Sequence, residues 1–297
     1  MRHDHGDSAD FGSRSVDASK RVVLLTGSEL RHVYFRKVIG LSTGIRILRS
    51  YCEGFENSVR TVVEQVDPHP SDQIAHLDAR ARCEHDFFGA FVSLAPETSN
   101  PVALSRGAIN DASHYRDILG LCPDLIGAYG CSIIREPLIS AFEGRFLNVH
   151  LGLSPYYRGS GTNFQALANG EPEYVGATFM HLGAGIDKGE IIHQIRARIY
   201  PGDSPHQIGN RLIADMAVVY AAIIRRFDDL SPAPQLPPAP RPRVYRNRDF
   251  TQEATRLLYR RFATGLIDRY LAQWRERCEA APIVTNPVLA DVRVEIP

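Results

Sequence analysis

Residues 146–192 read FLNVHLGLSPYYRGSGTNFQALANGEPEYVGATFMHLGAGIDKGEII. The stretch opens on Phe146-Leu147-Asn148-Val149-His150, a short apolar run that reads as a buried strand. Side chains alternate along a strand, so Asn148 and His150 share one face. Leu151 to Gly161 is rich in Gly, Ser and Pro and marks a loop at the strand's end. In open α/β sheets, ligands bind at that end. Asp187 follows in a second turn-rich segment, Gly183 to Gly189, between two further strand-like runs, Val175 to Leu182 and Glu190 to Tyr200. Each polar residue alone has an ordinary use. Asn and His at strand ends satisfy backbone groups, and Asp before a Gly is common turn chemistry.

Working back from this stretch, Arg21 to Thr26 reads as a first buried strand, Gly27-Ser28 as its turn, and Glu29 to Ile39 as a helix. Gly44 to Tyr51 is a second strand, which completes a βαβ opening and predicts a parallel sheet. Residues 55 to 95 read as one or two inserted helices, and Ile109 to Leu119 as another short one. Leu125 to Tyr129 is a third core strand, and Ile134 to Phe142 a helix starting near Pro137. The fold class is therefore α/β, a Rossmann-like, mostly parallel sheet with helices on both faces.

Working forward, His206 to Phe227 has an apolar face formed by Ile208, Leu212, Ile213, Met216 and Val219 and is started by Ser204-Pro205. Ser231 to Pro242 is a proline-rich connector that must be extended. Phe250 to Trp274 again has helical periodicity. The chain divides into a polar tail over 1–19, a catalytic domain over 20–230, and the connector with a small helical C-terminal extension over 231–297. Between Arg241 and Arg277 stand ten Arg against Asp249, Glu253, Asp268 and Glu276, a net of +6. Two readings stay open: a helix face packed on the main domain, or a surface contacting phosphate.

Over the whole chain, 34 basic and 34 acidic residues cancel, so bulk electrostatics gives no reason to bind nucleic acid. Cys52, Cys83, Cys122, Cys131 and Cys278 form no metal-like spacing and are odd in number, which reads as scattered thiols in a cytoplasmic protein. No run reads as a membrane span, and the N-terminus lacks the apolar core of a secretory signal. Thr26-Gly27-Ser28, between a first strand and a helix, stands where Rossmann-like folds hold phosphate, but one Gly meets no dinucleotide or P-loop fingerprint. Arg31 and His32 in the helix's first turns run against the helix dipole, which favours an anion-binding role.

Asn148-x-His150, the Gly152-Leu153-Ser154-Pro155 turn, the Gly159 to Gly161 loop and Asp187 before Gly189 together resemble the folate-dependent formyltransferase family. Its branches act on glycinamide ribonucleotide, methionyl-tRNA or nucleotide-linked sugars. The turn departs from the family's Ser-Leu-Leu-Pro-like pattern, with Gly152 for the Ser and Ser154 for a Leu. The resemblance covers roughly Arg21 to Phe227. It implies transfer of a formyl group from 10-formyltetrahydrofolate to a primary amine, with Asn148, His150 and Asp187 catalytic and no metal. His150 is the group for proton movement, because its ordinary pKa lies near neutrality. Asn148 can donate to the developing oxyanion, and Asp187 can orient His150. The resemblance further implies that Tyr129, Gly130, Cys131, Ser132, Ile133, Gly183 and Gly185 meet the folate. Thr26, Gly27, Ser28, Arg31, His32, Tyr156 and Arg158 would border the acceptor. An amino sugar, nucleotide-linked or free, is the acceptor that neutrality and the short helical extension favour. Methionyl-tRNA is the alternative, and a folate-binding protein without activity is the alternative of another class. A homodimer stays open.

Overall fold

A computed structural model describes residues 19–54, 59–66, 69–182, 187, 189–235 and 243–292. Gly183, Gly185, the tail before Ser19 and the 236–242 part of the connector lie outside the described residues. The chain runs through β1 (Lys20–Gly27), α1 (Leu30–Gly40), β2 (Ile45–Glu53), α2 (Val59–Val66), α3 (Ser71–Leu94) and β3 (Pro101–Leu104). It continues through α4 (Ala112–Leu121), β4 (Leu125–Tyr129), α5 (Leu138–Ala141), β5 (Phe146–His150), β6 (Tyr157–Gly159) and α6 (Thr162–Asn169). β7 (Gly176–His181), β8 (Ile191–Arg196), α7 (Pro205–Arg225), β9 (Arg243–Tyr245), α8 (Gln252–Ala263) and α9 (Leu266–Glu279) complete it.

The main sheet has the order β3-β2-β1-β4-β5-β7-β8. The first five strands are parallel, and β7 runs antiparallel to both β5 and β8. A mostly parallel sheet with helices is as expected. Val22, Val23, Leu24 and Leu25 of β1 are fully buried, because helices cover both faces of a central parallel strand. The strand order turns back at β1, which has β2 on one side and β4 on the other, so a crevice opens beyond their carboxyl ends.

α7 starts on a reciprocal cap. The Ser204 hydroxyl accepts from the Gln207 N–H at 3.2 Å, and the Gln207 side chain accepts from the Ser204 N–H at 2.8 Å. Contrary to expectation, α7 is long and apolar enough to cross a bilayer; most of it is buried inside the domain, where Ile208, Leu212, Met216 and Tyr220 join the core.

Several elements differ from the sequence reading. β3 was unexpected: it has four residues, begins on Pro101 and lies at the sheet edge, too short for periodicity to show. The helix expected over 109–119 is a short 3₁₀ turn at Ala108–Asn110 followed by α4. The 134–142 helix shrinks to α5. The single C-terminal helix is two, broken at Gly265, whose φ of 82° is a left-handed conformation that glycine tolerates. β9 was also unexpected, and it pairs in parallel with β6. The Arg-rich extension packs on the main domain: Arg243 pairs with Glu171, Arg256 with Asp72 at 2.6 Å, and Arg277 with Glu173 at 2.7 Å.

Candidate active site

A cleft of about 990 Å³ lies over the carboxyl ends of β1, β2, β4 and β5. Gly27 to His32, Glu53, Gly130 to Ile134, Asn148 to Leu151, Gly159 to Gly161 and Asp187 all line it. α3 closes another side with Leu77, Arg80, Ala81 and Glu84. The inserted helices thus help build the site.

Asn148 and His150 do share a face of β5, and both reach the cleft. The His150 Nδ1 atom lies 3.4 Å from the Asp187 Oδ2 atom. On the other side of the ring, His150 Nε2 lies 3.1 Å from the Tyr157 carbonyl oxygen and 3.4 Å from the Thr162 hydroxyl. A carbonyl and a carboxylate can only accept, and a neutral imidazole carries one N–H, so the ring donates to one of these two acceptors at a time. Asp187 has a φ of 49°, and its Oδ2 also accepts from the Gly159 N–H at 2.9 Å. The His150 and Asp187 side chains are only 8% and 13% exposed, so their contact is little screened by solvent. The Asn148 carboxamide has no hydrogen-bond partner among the described residues and is left available to a ligand. Gly152, one of the two departures from the family turn, has a local reason: a Cβ there would stand 2.5 Å from His150 Nε2.

The loop after β1 is different. Arg31 is not an unpaired cation: it pairs with Glu29 and, at 2.9 Å, with Glu84, which Arg80 also contacts at 3.0 Å. The dipole mismatch that favoured anion binding is thus answered by carboxylates, one of them 53 residues away in sequence. His32 is buried, accepts from the Glu29 N–H at 3.2 Å, and sets its ring edge-on to Tyr129 at 4.9 Å. Burial and the neighbouring Arg31 hold its pKa well below the ordinary value, so it stays neutral. Gly27 and Ser28 line the cleft; Thr26, Tyr156 and Arg158 do not. Thr26 is buried and accepts from Arg36 at 3.3 Å, and the Tyr156 hydroxyl donates to the Pro282 carbonyl at 2.9 Å.

In the loop after β4, Gly130 to Ile133 line the cleft, as does Tyr129 at its base. Ile133 is 72% exposed and offers an apolar surface at the rim. The Cys131 thiol is pushed up to about 12 by burial and by the Glu53 carboxylate, which leaves it no thiolate for nucleophilic chemistry. Glu53 escaped the sequence reading. It is buried at the end of β2 and accepts from the Ser132 N–H at 2.6 Å, the Ser132 hydroxyl at 2.8 Å and the Gly107 N–H at 2.8 Å. It therefore fixes the loop that would meet a folate. His181 also went unread; its Nδ1 is buried without a partner, and burial lowers its pKa. Neither residue carries a local sequence signal: Glu53 acts through partners distant in the chain, and the burial of His181 arises only from tertiary packing.

The family model of formyl transferases matches residues 97–224. Over 108 residues, 36% of this chain, the sequence is 33% identical to phosphoribosylglycinamide formyltransferase of Escherichia coli, and the match spans 50% of that relative. Over 111 residues it is 35% identical to methionyl-tRNA formyltransferase of Thermus thermophilus, spanning 37% of this chain and 36% of that one. The chain thus spans half or less of the length of these curated relatives. A sugar N-formyltransferase from a Shewanella species shares the fold with a TM-score of 0.52 at 13% identity, over 81% of this chain and 87% of that one. The matched residues 97–224 contain Asn148, His150 and Asp187, so the resemblance read from the motif is supported by the formyl transferase family model.

Proposed function

We propose that this protein transfers a formyl group from 10-formyltetrahydrofolate to a primary amine on an amino sugar, free or nucleotide-linked. The observation that carries the reading is the meeting of an uncommitted Asn148 carboxamide with the His150–Asp187 pair in one cleft. The cleft suits a folate on its own features: the exposed Ile133 side chain, the unpartnered buried His181 nitrogen and the loop held by Glu53. When bound, the folate supplies the activated formyl group. Asn148 donates a hydrogen bond where negative charge builds on the formyl oxygen, with no change in its own charge. His150 stands beside the same oxygen and moves the proton that the amine must lose. Asp187 holds the imidazole and stabilises it when charged.

The amino-sugar acceptor rests on charge. Between Arg241 and Arg277 ten arginines leave a net of +6, but Arg243, Arg256 and Arg277 pair with carboxylates of the main domain. An RNA-binding face would need such charges directed outward, and binding would weaken steeply with salt. The test is formamide formation, followed by mass, with 10-formyltetrahydrofolate and a panel of amino-sugar nucleotides, glycinamide ribonucleotide and methionyl-tRNA at two salt concentrations. The reading expects a sugar product and a modest salt effect. Salt-sensitive formylation of the tRNA, with no sugar product, would overturn it.

A further inference from the structure

The connector after α7 does more than join two parts. Residue Ala233 pairs with Ile191 at the start of β8, through N–H to carbonyl bonds of 2.7 and 2.8 Å in both directions. Two residues on, the Gln235 side chain reaches the turn that carries Asp187. Its Nε2 donates to the Asp187 carbonyl at 2.8 Å and to the Gly189 carbonyl at 2.7 Å. One amide group thus ties both sides of the turn whose carboxylate faces His150. The turn needs such a tie, because Asp187 holds the left-handed φ of 49°, a conformation unfavourable for a residue with a Cβ. Among the described residues the Asp187 carboxylate meets His150 Nδ1 and the Gly159 N–H, and both contacts depend on where Asp187 sits. The same C-terminal segment also reaches the second partner, since β9 pairs with β6 at Gly159.

We infer that Gln235 is a positioning residue: through its two hydrogen bonds to the Asp187 turn it aims the Asp187 carboxylate at His150. The inference rests on the proposed function only for its kinetic consequence. Gln235→Ala removes both bonds. Gln235→Glu keeps the size but sets a carboxylate against two carbonyl oxygens, which also breaks the tie.

Two measurements test it, after thermal unfolding has shown that each variant folds. The first needs no activity. The Gly159 amide proton reports the bond to Asp187, so its NMR shift in Gln235→Ala and Gln235→Glu is expected to move in the same direction as in Asp187→Asn. The second is a kinetic double-mutant cycle. Gln235→Ala is expected to lower kcat about tenfold or more, with KM for the folate within about twofold, since misaiming a catalytic group by an ångström is that damaging. In the Asp187→Asn background it is expected to change kcat by less than about twofold, because it acts through that carboxylate. An unmoved Gly159 amide, or losses that simply multiply in the double variant, would overturn the inference. Wild-type protein without formyl transfer would count against the proposed function instead, and the Gly159 shift would still decide the role of Gln235.

Discussion

His150 and His32 both border one cleft, and they are put to opposite uses. His32, in the first turn of α1, is buried among its own neighbours: the Glu29 N–H, the Tyr129 ring and the backbones of Gly27 and Gly130. Around it Arg31, Arg80, Glu29 and Glu84 satisfy one another. His150, at the end of β5, sits beside the Asn148 amide, which has no hydrogen-bond partner among the described residues, and against the carboxylate of Asp187, whose φ is 49°. Polar residues at a strand end therefore do not mark a reaction centre by themselves. The difference lies in the ionic groups and the amide: beyond β1 the arginines and glutamates pair among themselves, whereas at β5 the Asn148 carboxamide has no hydrogen-bond partner among the described residues and stands beside the His150–Asp187 pair.

The variants that would break this comparison can be ranked. The largest effect belongs to His150→Ala and Asn148→Ala: turnover should fall roughly a hundredfold or more in each, with the fold intact by circular dichroism, since losing one oxyanion donor costs about 3 kcal/mol. Near-normal rates in folded protein would remove both from the mechanism. Asp187→Asn should follow, lowering kcat more than it weakens folate affinity. Normal turnover at saturating folate, with only binding lost, would recast Asp187 as a binding residue.

His32→Ala should reverse the pattern. Its main effect should be on stability, by about 2 kcal/mol for emptying a buried, well-packed site, and its thermal unfolding midpoint should drop more than that of His150→Ala. Equal stability of the two variants would mean that His32 is no more structural than His150.

The smallest effect is a pH slope. Burial lowers His76 to about 3 and His193 and His206 to about 4, against an ordinary histidine value of 6.5. Between those values the unfolded chain holds protons that the folded one refuses, so stability rises with pH across that window and is lost as pH falls from about 6.5 toward 4. His76 and His206 share the Tyr259 hydroxyl, at 3.1 and 3.3 Å, where α3, α7 and α8 meet. Replacing His76 by Gln should flatten the slope of unfolding midpoint against pH. A slope unchanged from wild type would mean that His76 does not contribute to it.

What the sequence disclosed follows from how far apart the interacting residues lie. β5 and its loop were legible because alternation and turn chemistry are local, and they put Asn148 and His150 on one face without any tertiary knowledge. The paired role of Arg31 was not, since its partner Glu84 comes from the inserted α3. Glu53 and Gln235 looked like an ordinary strand end and an ordinary linker residue. Their uses arise only when Ser132, Gly107, Asp187 and Gly189 are brought to them. β9 has three residues and no alternation to detect, and it exists because Tyr157 to Gly159 offers it a ladder. The Arg-rich extension allowed two readings in sequence. The ion pairs to Glu171, Asp72 and Glu173 give its charges a use inside the molecule.

We propose that formyl transfer takes place at the end of β5, with the first turn of α1 in a supporting role. The most direct test is a single-turnover reaction with 10-formyltetrahydrofolate labelled with carbon-13 in the formyl group, run with wild type, His150→Ala and His32→Ala on the acceptor found active in the panel. The account predicts that label reaches the acceptor nitrogen in wild type and in folded His32→Ala, and that the rate falls roughly a hundredfold or more in His150→Ala. Label that never leaves the folate in wild type, or that moves as fast in His150→Ala as in wild type, would contradict it.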